Sequence, residues 1–165
     1  MGIEIERKFL VKGAGWRGTP GTEISQGYLS RDKERTVRVR IAGDRAYLTV
    51  KGPTRGAVRP EFEYEIPLAD ARELLKLCAP LLIEKRRHIV EYRGSRWEVD
   101  EFSGAHAGLV LAEIELQAPD QPFARPAWLG KEVTDDPRYL NSNLSKPNGA
   151  DIGLYPVQIS KHIDK

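Results

Sequence analysis

The chain has 165 residues, 40% hydrophobic and 30% charged, the size and make-up of one globular domain rather than of a disordered or collagen-like chain. No apolar run approaches the roughly 20 residues of a membrane span, MGIEIERKFL carries charges where a signal peptide needs an apolar stretch, and the lone Cys78 has no internal disulfide partner, so the expectation is a cytoplasmic protein with no membrane contact. The net charge of +2 hides an asymmetry, with residues 1–60 at +7 and residues 61–165 at −5, which points to a polyanionic partner or to one folded site that mixes both signs.

Gly/Pro clusters at 13–21, 52–60, 103–108 and 118–130 punctuate the chain without the composition shifts of a linker. Between them, period-two alternation predicts eight strands. They cover 2–11, 22–30, 35–42, 45–51, 60–66, 82–92, 95–102 and 108–116, with hairpin turns at Gly43-Asp44 and Arg93-Gly94. One helix is expected over 68–78, where Leu68, Ala71, Leu74, Leu75 and Cys78 recur at helical spacing. A short helix is expected around 136–144, with Asp135 or Asp136 as its cap and Pro137 in its first turn.

The alternation carries charge. Glu4, Glu6 and Lys8 share one face of the first strand, opposite Ile3, Ile5 and Phe9. Arg38 and Arg40 oppose Val37, Val39 and Ile41, and Lys51 is in register with Thr49. Glu61, Glu63 and Glu65 oppose Phe62, Tyr64 and Ile66; Glu98 and Asp100 oppose Trp97 and Val99; Glu113 and Glu115 oppose Ile114 and Leu116. Residues 84–88 are polar on both faces, so parity does not choose between Lys85/Arg87 and Glu84/Arg86. One reading is a sheet with a solvated face laced with ion pairs. The other is a closed or nearly closed sheet whose interior holds a ligand. Carboxylates on some strands and Lys/Arg on others suit divalent cations together with phosphate oxygens.

Other residues read as structural. His88, His106 and His162 have no metal-ligand spacing, Cys78 sits on the apolar face of the expected helix, and Gly13-x-Gly15 lacks the Lys-Ser/Thr of a phosphate loop. Trp16, Trp97 and Trp128 do not interleave with a basic stripe, and the basic residues share parity with acidic ones that would repel a nucleic-acid backbone. No nucleic-acid partner is expected. Trp128 reads as an anchor for the C-terminal segment.

Glu4-x-Glu6-x-Lys8 on a first strand resembles the signature of the CYTH superfamily, the triphosphate tunnel metalloenzymes. R-V-R (Arg38, Arg40), Lys51, E-F-E (Glu61, Glu63), K-R-R (Lys85 to Arg87), W-E-V-D (Asp100) and E-I-E (Glu113, Glu115) follow in that family's order. The segments from Pro126 to Thr134 and from Tyr139 to Lys146 look like the end of its short bacterial members. The resemblance covers residues 1–147, leaving 148–165 as a loosely ordered tail. It implies a mostly-β (α+β) fold, an eight-stranded antiparallel β-barrel or tunnel with a few flanking helices, that binds a triphosphate with one or two Mg²⁺ or Mn²⁺ ions. Carried over by position, Glu4, Glu6, Glu113 and Glu115 look like metal ligands, and Asp100 like a further acidic ligand. Glu61 and Glu63 look like holders of water or of a second ion. Lys8, Arg38, Arg40, Lys51, Lys85, Arg87 and Lys146 look like the triphosphate cradle. Candidates for moving the proton of the attacking water are Glu63, Asp100 and Tyr28, which shares parity with Ile24 and Gln26 one hairpin from Lys8.

The expected activity is metal-dependent hydrolysis of the terminal phosphoanhydride of inorganic triphosphate (tripolyphosphate). The alternatives are a class IV-type adenylate cyclase, a thiamine or nucleoside triphosphatase, and a non-catalytic polyphosphate or nucleotide binder. The absence of a His-Phe pair just ahead of Glu4 tilts against the cyclase, and the full acidic set tilts against a pure anion binder. The apolar outer faces of the strands need cover, and a homodimer is one way to supply it.

Overall fold

A computed structural model describes residues 2–78 and 82–144. Lys146, His162 and the expected tail at 148–165 lie outside the described residues. The eight expected strands are β1 (Ile3–Val11), β2 (Gly21–Ser30), β3 (Thr36–Ala42), β4 (Arg45–Lys51), β5 (Val58–Ile66), β6 (Ile83–Tyr92), β7 (Ser95–Phe102) and β8 (Val110–Glu115). They pair in the order β5-β4-β3-β2-β6-β7-β8-β1, every neighbour antiparallel. Ile3–Ile5 of β1 then pair with Val58–Pro60 of β5 and close the sheet into a barrel. Closure removes the sheet edges and gives every strand an inside and an outside face.

The closing seam is short because β1 shares that edge. A ninth strand, β9 (Leu129–Glu132), takes the far half, with Phe9 opposite Glu132 and Val11 opposite Leu129. Alternation over four residues that include Gly130 is too brief to announce a strand. The glycine is needed there: a Cβ on Gly130 would stand 2.9 Å from the Leu10 carbonyl oxygen.

The outer wall is covered in two places. Helix α1 (Leu68–Leu77) starts after Pro67 and lays Ala71, Leu75 and the following Cys78 on Val39 of β3 and Ala46 of β4. On the other side Phe9, Trp97, Val99, Ala112 and Ile114 pack under Trp16, Leu116, Trp128 and Leu129. Trp97 meets Phe9 and Trp128 edge to face, each at 5.7 Å between ring centroids. Trp128 is therefore the anchor of the segment after β8. Each such burial removes an aromatic or aliphatic side chain from water, about 1.5–3 kcal/mol apiece. Ile3, Phe62 and Tyr64 on the outside of β1 and β5 stay exposed.

One end of the barrel is filled by apolar side chains. Leu10, Tyr28, Ile83, Phe102 and Leu111 point inward from five strands and pack with Val133, Tyr139 and Leu144. The expected helix at 136–144 is split into a 3-10 turn (Pro137–Tyr139) and a four-residue helix, α2 (Asn141–Leu144). Asp136 accepts from the Arg138 N–H and Pro137 opens the turn, as expected, but Leu140 is extended (ψ 135°) and breaks the helix. The break turns Tyr139 and Leu144 onto the barrel end, so the interior is a cup with an apolar floor. Both histidines among the described residues are structural. His88 Nδ1 lies 3.1 Å from the Thr19 carbonyl and His106 Nε2 lies 2.8 Å from the Leu144 carbonyl.

Candidate active site

Above the floor the inward side chains of most strands are charged, and closure brings them onto one cavity of about 160 Å³. Seven glutamates line it, Glu4, Glu6, Glu61, Glu63, Glu98, Glu113 and Glu115, against Arg38, Arg40, Lys51 and Arg87. The volume is below the roughly 300 Å³ at which drug-sized ligands begin to fit, and the lining is not apolar as theirs is. It suits a small, highly charged ligand. A larger hollow of about 730 Å³, between Arg7, Ala57 and Lys131–Pro137, lies outside the barrel and includes none of these charges.

The cavity has an acidic side. Cross-strand register sets Glu6 directly opposite Glu115, and Glu98 directly opposite Glu113, pairings that repel. Burial, with Glu113 and Glu4 beside it, holds the Glu6 carboxyl well above the ordinary carboxylate range. Burial and the neighbouring Glu4 also raise Glu61 and Glu115. Lys51 Nζ lies 2.9 and 3.0 Å from the two oxygens of Glu4 and 3.7 Å from Glu61, while Arg87 reaches Glu98 at 3.2 Å and Glu113 at 3.7 Å from the other side. Among the described residues no three acidic or imidazole groups already converge at metal-ligating distance. The donor set is nonetheless the all-oxygen one that Mg²⁺ and Mn²⁺ take, and its raised carboxyls are what an added divalent charge relieves.

The opposite side is basic. Arg87 grips Asp100 with two parallel bonds of 2.7 and 2.8 Å, and Lys85 Nζ lies 2.8 Å from the same carboxylate. Burial opposes ionisation of Asp100, but Arg87 and Lys85 overcome it and push the carboxyl far below its usual range. Lys85 moves the other way, down to about 7, because burial, with Arg87 and Arg40 adding to it, outweighs the attraction of Asp100. The two shifts are consistent: three cations surround one nearly fully buried carboxylate, with Glu98 and Glu113 reaching only Arg87 of the three, at 3.2 and 3.7 Å. Arg40, pushed down to about 9 by burial beside Arg38 and Arg87, is held by the Gln26 side chain at 2.8 Å. Arg38 rests on Thr49 and Glu63, at 3.2 and 3.4 Å, and Thr49 donates to Glu63 at 2.8 Å.

Lys8 stands between the two sides and the floor. Its ammonium donates to the Tyr139 carbonyl at 3.0 Å and lies 3.2 Å from Glu113. Burial works against its charge, and Glu113 and Glu6 more than restore it. Tyr28 belongs to the apolar floor and borders, with Lys8, Thr36, Arg38 and Arg59, a side chamber of about 30 Å³.

The closed barrel thus brings together Glu4, Glu6, Lys8, Arg38, Arg40, Lys51, Glu61, Glu63, Lys85, Arg87, Asp100, Glu113 and Glu115, with Tyr28 beneath them. On β6 the inward pair is Lys85 and Arg87, while Glu84 and Arg86 face outward, Arg86 pairing with Glu23. Sequence reasoning missed Gln26 and Thr49, which hold arginines in place, although both share parity with charged neighbours. It missed Asn141, the first residue of α2, because a four-residue helix shows no periodicity that marks an inward face.

The model of the CYTH domain family matches residues 2–146. A protein of Acetivibrio thermocellus named inorganic triphosphatase is 51% identical over 148 residues, covering 88% of this chain and 95% of that protein. One of Nitrosomonas europaea with the same name is 34% identical over 146 residues, covering 86% and 96%. Among solved structures, an inorganic triphosphatase aligns with a TM-score of 0.64 at 32% identity, over 86% of this chain and 93% of that one. A Pyrococcus furiosus protein at 22% identity shares the fold, with a TM-score of 0.55 over 71% and 80%.

Proposed function

The chain belongs to the CYTH family, and from that premise we propose that it is an enzyme that hydrolyses the terminal phosphoanhydride of inorganic triphosphate inside the barrel, with Mg²⁺ or Mn²⁺ as its cofactor. The observation that carries the reading is the division of one small cavity into a side with surplus carboxylates and a side with surplus cations. Two relatives that align along nearly their whole length carry the name inorganic triphosphatase. The size of the cavity favours a bare triphosphate over a nucleotide.

Arg38, Arg40, Lys85 and Arg87 are the cradle for the phosphates, with Lys51 and Lys8 at its edges. Asp100, with both oxygens on Arg87 and one on Lys85, fits the task of aiming these cations better than that of a metal ligand. Glu4, Glu6, Glu61, Glu63, Glu113 and Glu115 are the groups that hold the ions. A bound divalent ion supplies charge neutralisation and a water of lowered pKa. What the chain itself does is fix the phosphates in line, keep opposite charges within one cup and aim Lys8 at the reacting end. Glu63 takes the water proton in this scheme, and Tyr28 packs beneath Lys8. The exposed strip of Ile3, Phe62 and Tyr64 is the surface we assign to a homodimer.

The test is phosphate release from inorganic triphosphate, ATP and thiamine triphosphate, each with Mg²⁺, Mn²⁺ or EDTA, beside a Glu4→Ala protein. Fast release from inorganic triphosphate that EDTA stops and Glu4→Ala reduces about 10³-fold, about 4 kcal/mol of transition-state stabilisation, is the expected result. Consumption of ATP to pyrophosphate with no phosphate release indicates a cyclase instead. No turnover with any metal defeats the catalytic reading.

A further inference from the structure

Around the cavity, the cations have protein partners. Lys8 is on Tyr139 and Glu113, Lys51 on Glu4, Arg38 on Thr49 and Glu63, Arg40 on Gln26. Gln26 Nε2, Arg38 Nε and Lys85 Nζ are also buried without a hydrogen-bond partner among the described residues, but those side chains are held through another atom or an ion pair, and Asn141 is not. It lines both the main cavity and the side chamber that holds Lys8 and Tyr28. Its Oδ1 is buried and has no hydrogen-bond partner among the described residues.

The ordinary work of an asparagine at the start of a short helix is to bond the backbone nearby. Its neighbours do so: Asp136 accepts from the Arg138 N–H, and Asn143 Nδ2 donates to the Pro137 carbonyl. Asn141 has no such bond among the described residues. Leaving a buried acceptor unmatched costs about 1–3 kcal/mol, and unlike His88 Nε2 and Trp97 Nε1, which are also unmatched, this atom belongs to a residue that lines the charged cavity. The carboxamide is also the neutral polar group in a lining of full charges. It can accept from a water on one atom and donate to a phosphate oxygen on the other. A carboxylate there adds to the repulsion around Glu6, and a cation competes with the phosphates for it.

We infer that Asn141 is a further catalytic residue, whose side-chain oxygen accepts a hydrogen bond from the attacking water and aims it at the terminal phosphorus. A neutral amide that orients water is an established solution in phosphoryl transfer. The role rests on the proposed hydrolysis and adds no step to it. The water oxygen bonds to phosphorus, the bridging P–O bond breaks with its electron pair leaving on pyrophosphate, and the proton passes to Glu63. Asn141 holds the water and takes no proton.

The experiment is steady-state kinetics with inorganic triphosphate and Mg²⁺, with thermal unfolding measured on the same proteins. Asn141→Ala is compared with wild type and with Asn141→Leu, which keeps the volume and removes both polar atoms. Both variants are expected to lose about 10²-fold in kcat, to keep KM within about threefold and to unfold no earlier than wild type. The pH profile of kcat keeps its shape, because Asn141 does not titrate. If either variant folds and retains wild-type kcat, the role is overturned. If both unfold early and their activity falls only in proportion to the folded fraction, Asn141 is a structural residue and the role is likewise overturned. Absence of turnover in the wild type is a separate result, which defeats the hydrolysis and this role with it.

Discussion

Lys51 of β4 and Glu4 of β1 form a two-point ion pair across the barrel, the ammonium 2.9 and 3.0 Å from the carboxylate oxygens. Neither side chain is more than slightly exposed, so the pair is barely screened by solvent. The same ammonium faces Glu61 at 3.7 Å. It is a monovalent stand-in at the place where the proposed function puts a divalent ion, and a metal on Glu4 has to displace it toward the phosphates. Lys51→Met leaves Glu4 uncompensated beside Glu6, Glu61 and Glu115. In EDTA the variant is expected to lose roughly 3 kcal/mol of stability, in line with breaking one side of a buried pair. Mg²⁺ is expected to raise its Tm more than it raises that of wild type, while KM for triphosphate increases. Equal Mg²⁺-induced shifts in the two proteins, followed by thermal unfolding, would remove the competition between Lys51 and the metal.

The raised carboxyls make stability depend on pH in a direction that metal reverses. Glu6, Glu61 and Glu115 all have folded values above the ordinary 4.5, through burial first and then through neighbouring carboxylates. In that window the folded state binds more protons than the unfolded chain, so stability is fully present below about pH 4.5 and falls as pH rises through the folded values. Asp100 and Glu113 act oppositely, their folded values depressed by Arg87, Lys85 and Lys8 against the effect of burial. Their contribution is present above about pH 4.5 and is lost as pH falls toward the folded values. Unfolding measured in EDTA from pH 3 to 8 is therefore expected to show a maximum near the lower carboxylate range. With Mg²⁺ the decline on the alkaline side is expected to flatten, since the ion takes the protons' place. An identical decline with and without Mg²⁺ would mean that these glutamates do not share an ion.

The strands were legible because a closed barrel with one charged and one apolar face imposes strict period two, and Glu4-x-Glu6-x-Lys8 shows it within five residues. The inward set on β3, β5, β7 and β8 follows from the same parity. Parity fails on β6, where the outward Arg86 meets Glu23 in solvent and both faces are polar. It fails again beyond β8, where the chain crosses the outer wall as a Pro-rich segment. The pieces there, β9 and the turn to α2, are placed by contacts with distant residues: Gly130 against Leu10, Tyr139 against Lys8, Leu144 against His106. Asn141 falls inside the short helix expected around 136–144, where nothing in the spacing marks an inward face, and only the folded barrel shows it lining the charged cavity.

Gly27 tests the packing of the outer wall apart from the site. It lies on β2 beneath the end of α1, where an added Cβ would stand 2.5 Å from Cys78 Cβ and 2.8 Å from a Leu82 methyl. Its φ is not in the left-handed region, so the requirement is for space and not for conformation. Gly27→Ala is expected to push the end of α1 off the wall and to cost about 1–3 kcal/mol, the usual penalty of overpacking. For a domain of this size that is a Tm loss of several degrees. The cavity lies on the other face of β2, so kcat per folded molecule should hold. Pairing Gly27→Ala with Cys78→Gly, which removes the Cβ that the new methyl meets, should cost less than the two single losses together. Additive losses in the double variant would place the strain elsewhere.

Asp100 decides how the basic side is organised. It is nearly fully buried, bidentate to Arg87 and 2.8 Å from Lys85. Removing its charge leaves Lys85 and Arg40 without their nearest anion, and leaves Arg87 with only Glu98 at 3.2 Å and Glu113 at 3.7 Å. Asp100→Asn keeps the shape and is expected to cost roughly 3–5 kcal/mol at neutral pH. Lys85, already brought down to about 7, then gives up its proton still more readily. Because the deficit is one of negative charge, inorganic phosphate or triphosphate should stabilise the variant more than it stabilises wild type. A role in aiming the cations and a role as metal ligand differ in one readout. If Asp100 aims Arg87 and Lys85, the Mg²⁺-induced rise in Tm survives in Asp100→Asn while the KM for triphosphate climbs. If that rise disappears and phosphate brings no extra stabilisation, Asp100 belongs with Glu4 and Glu6 among the groups that hold the ion.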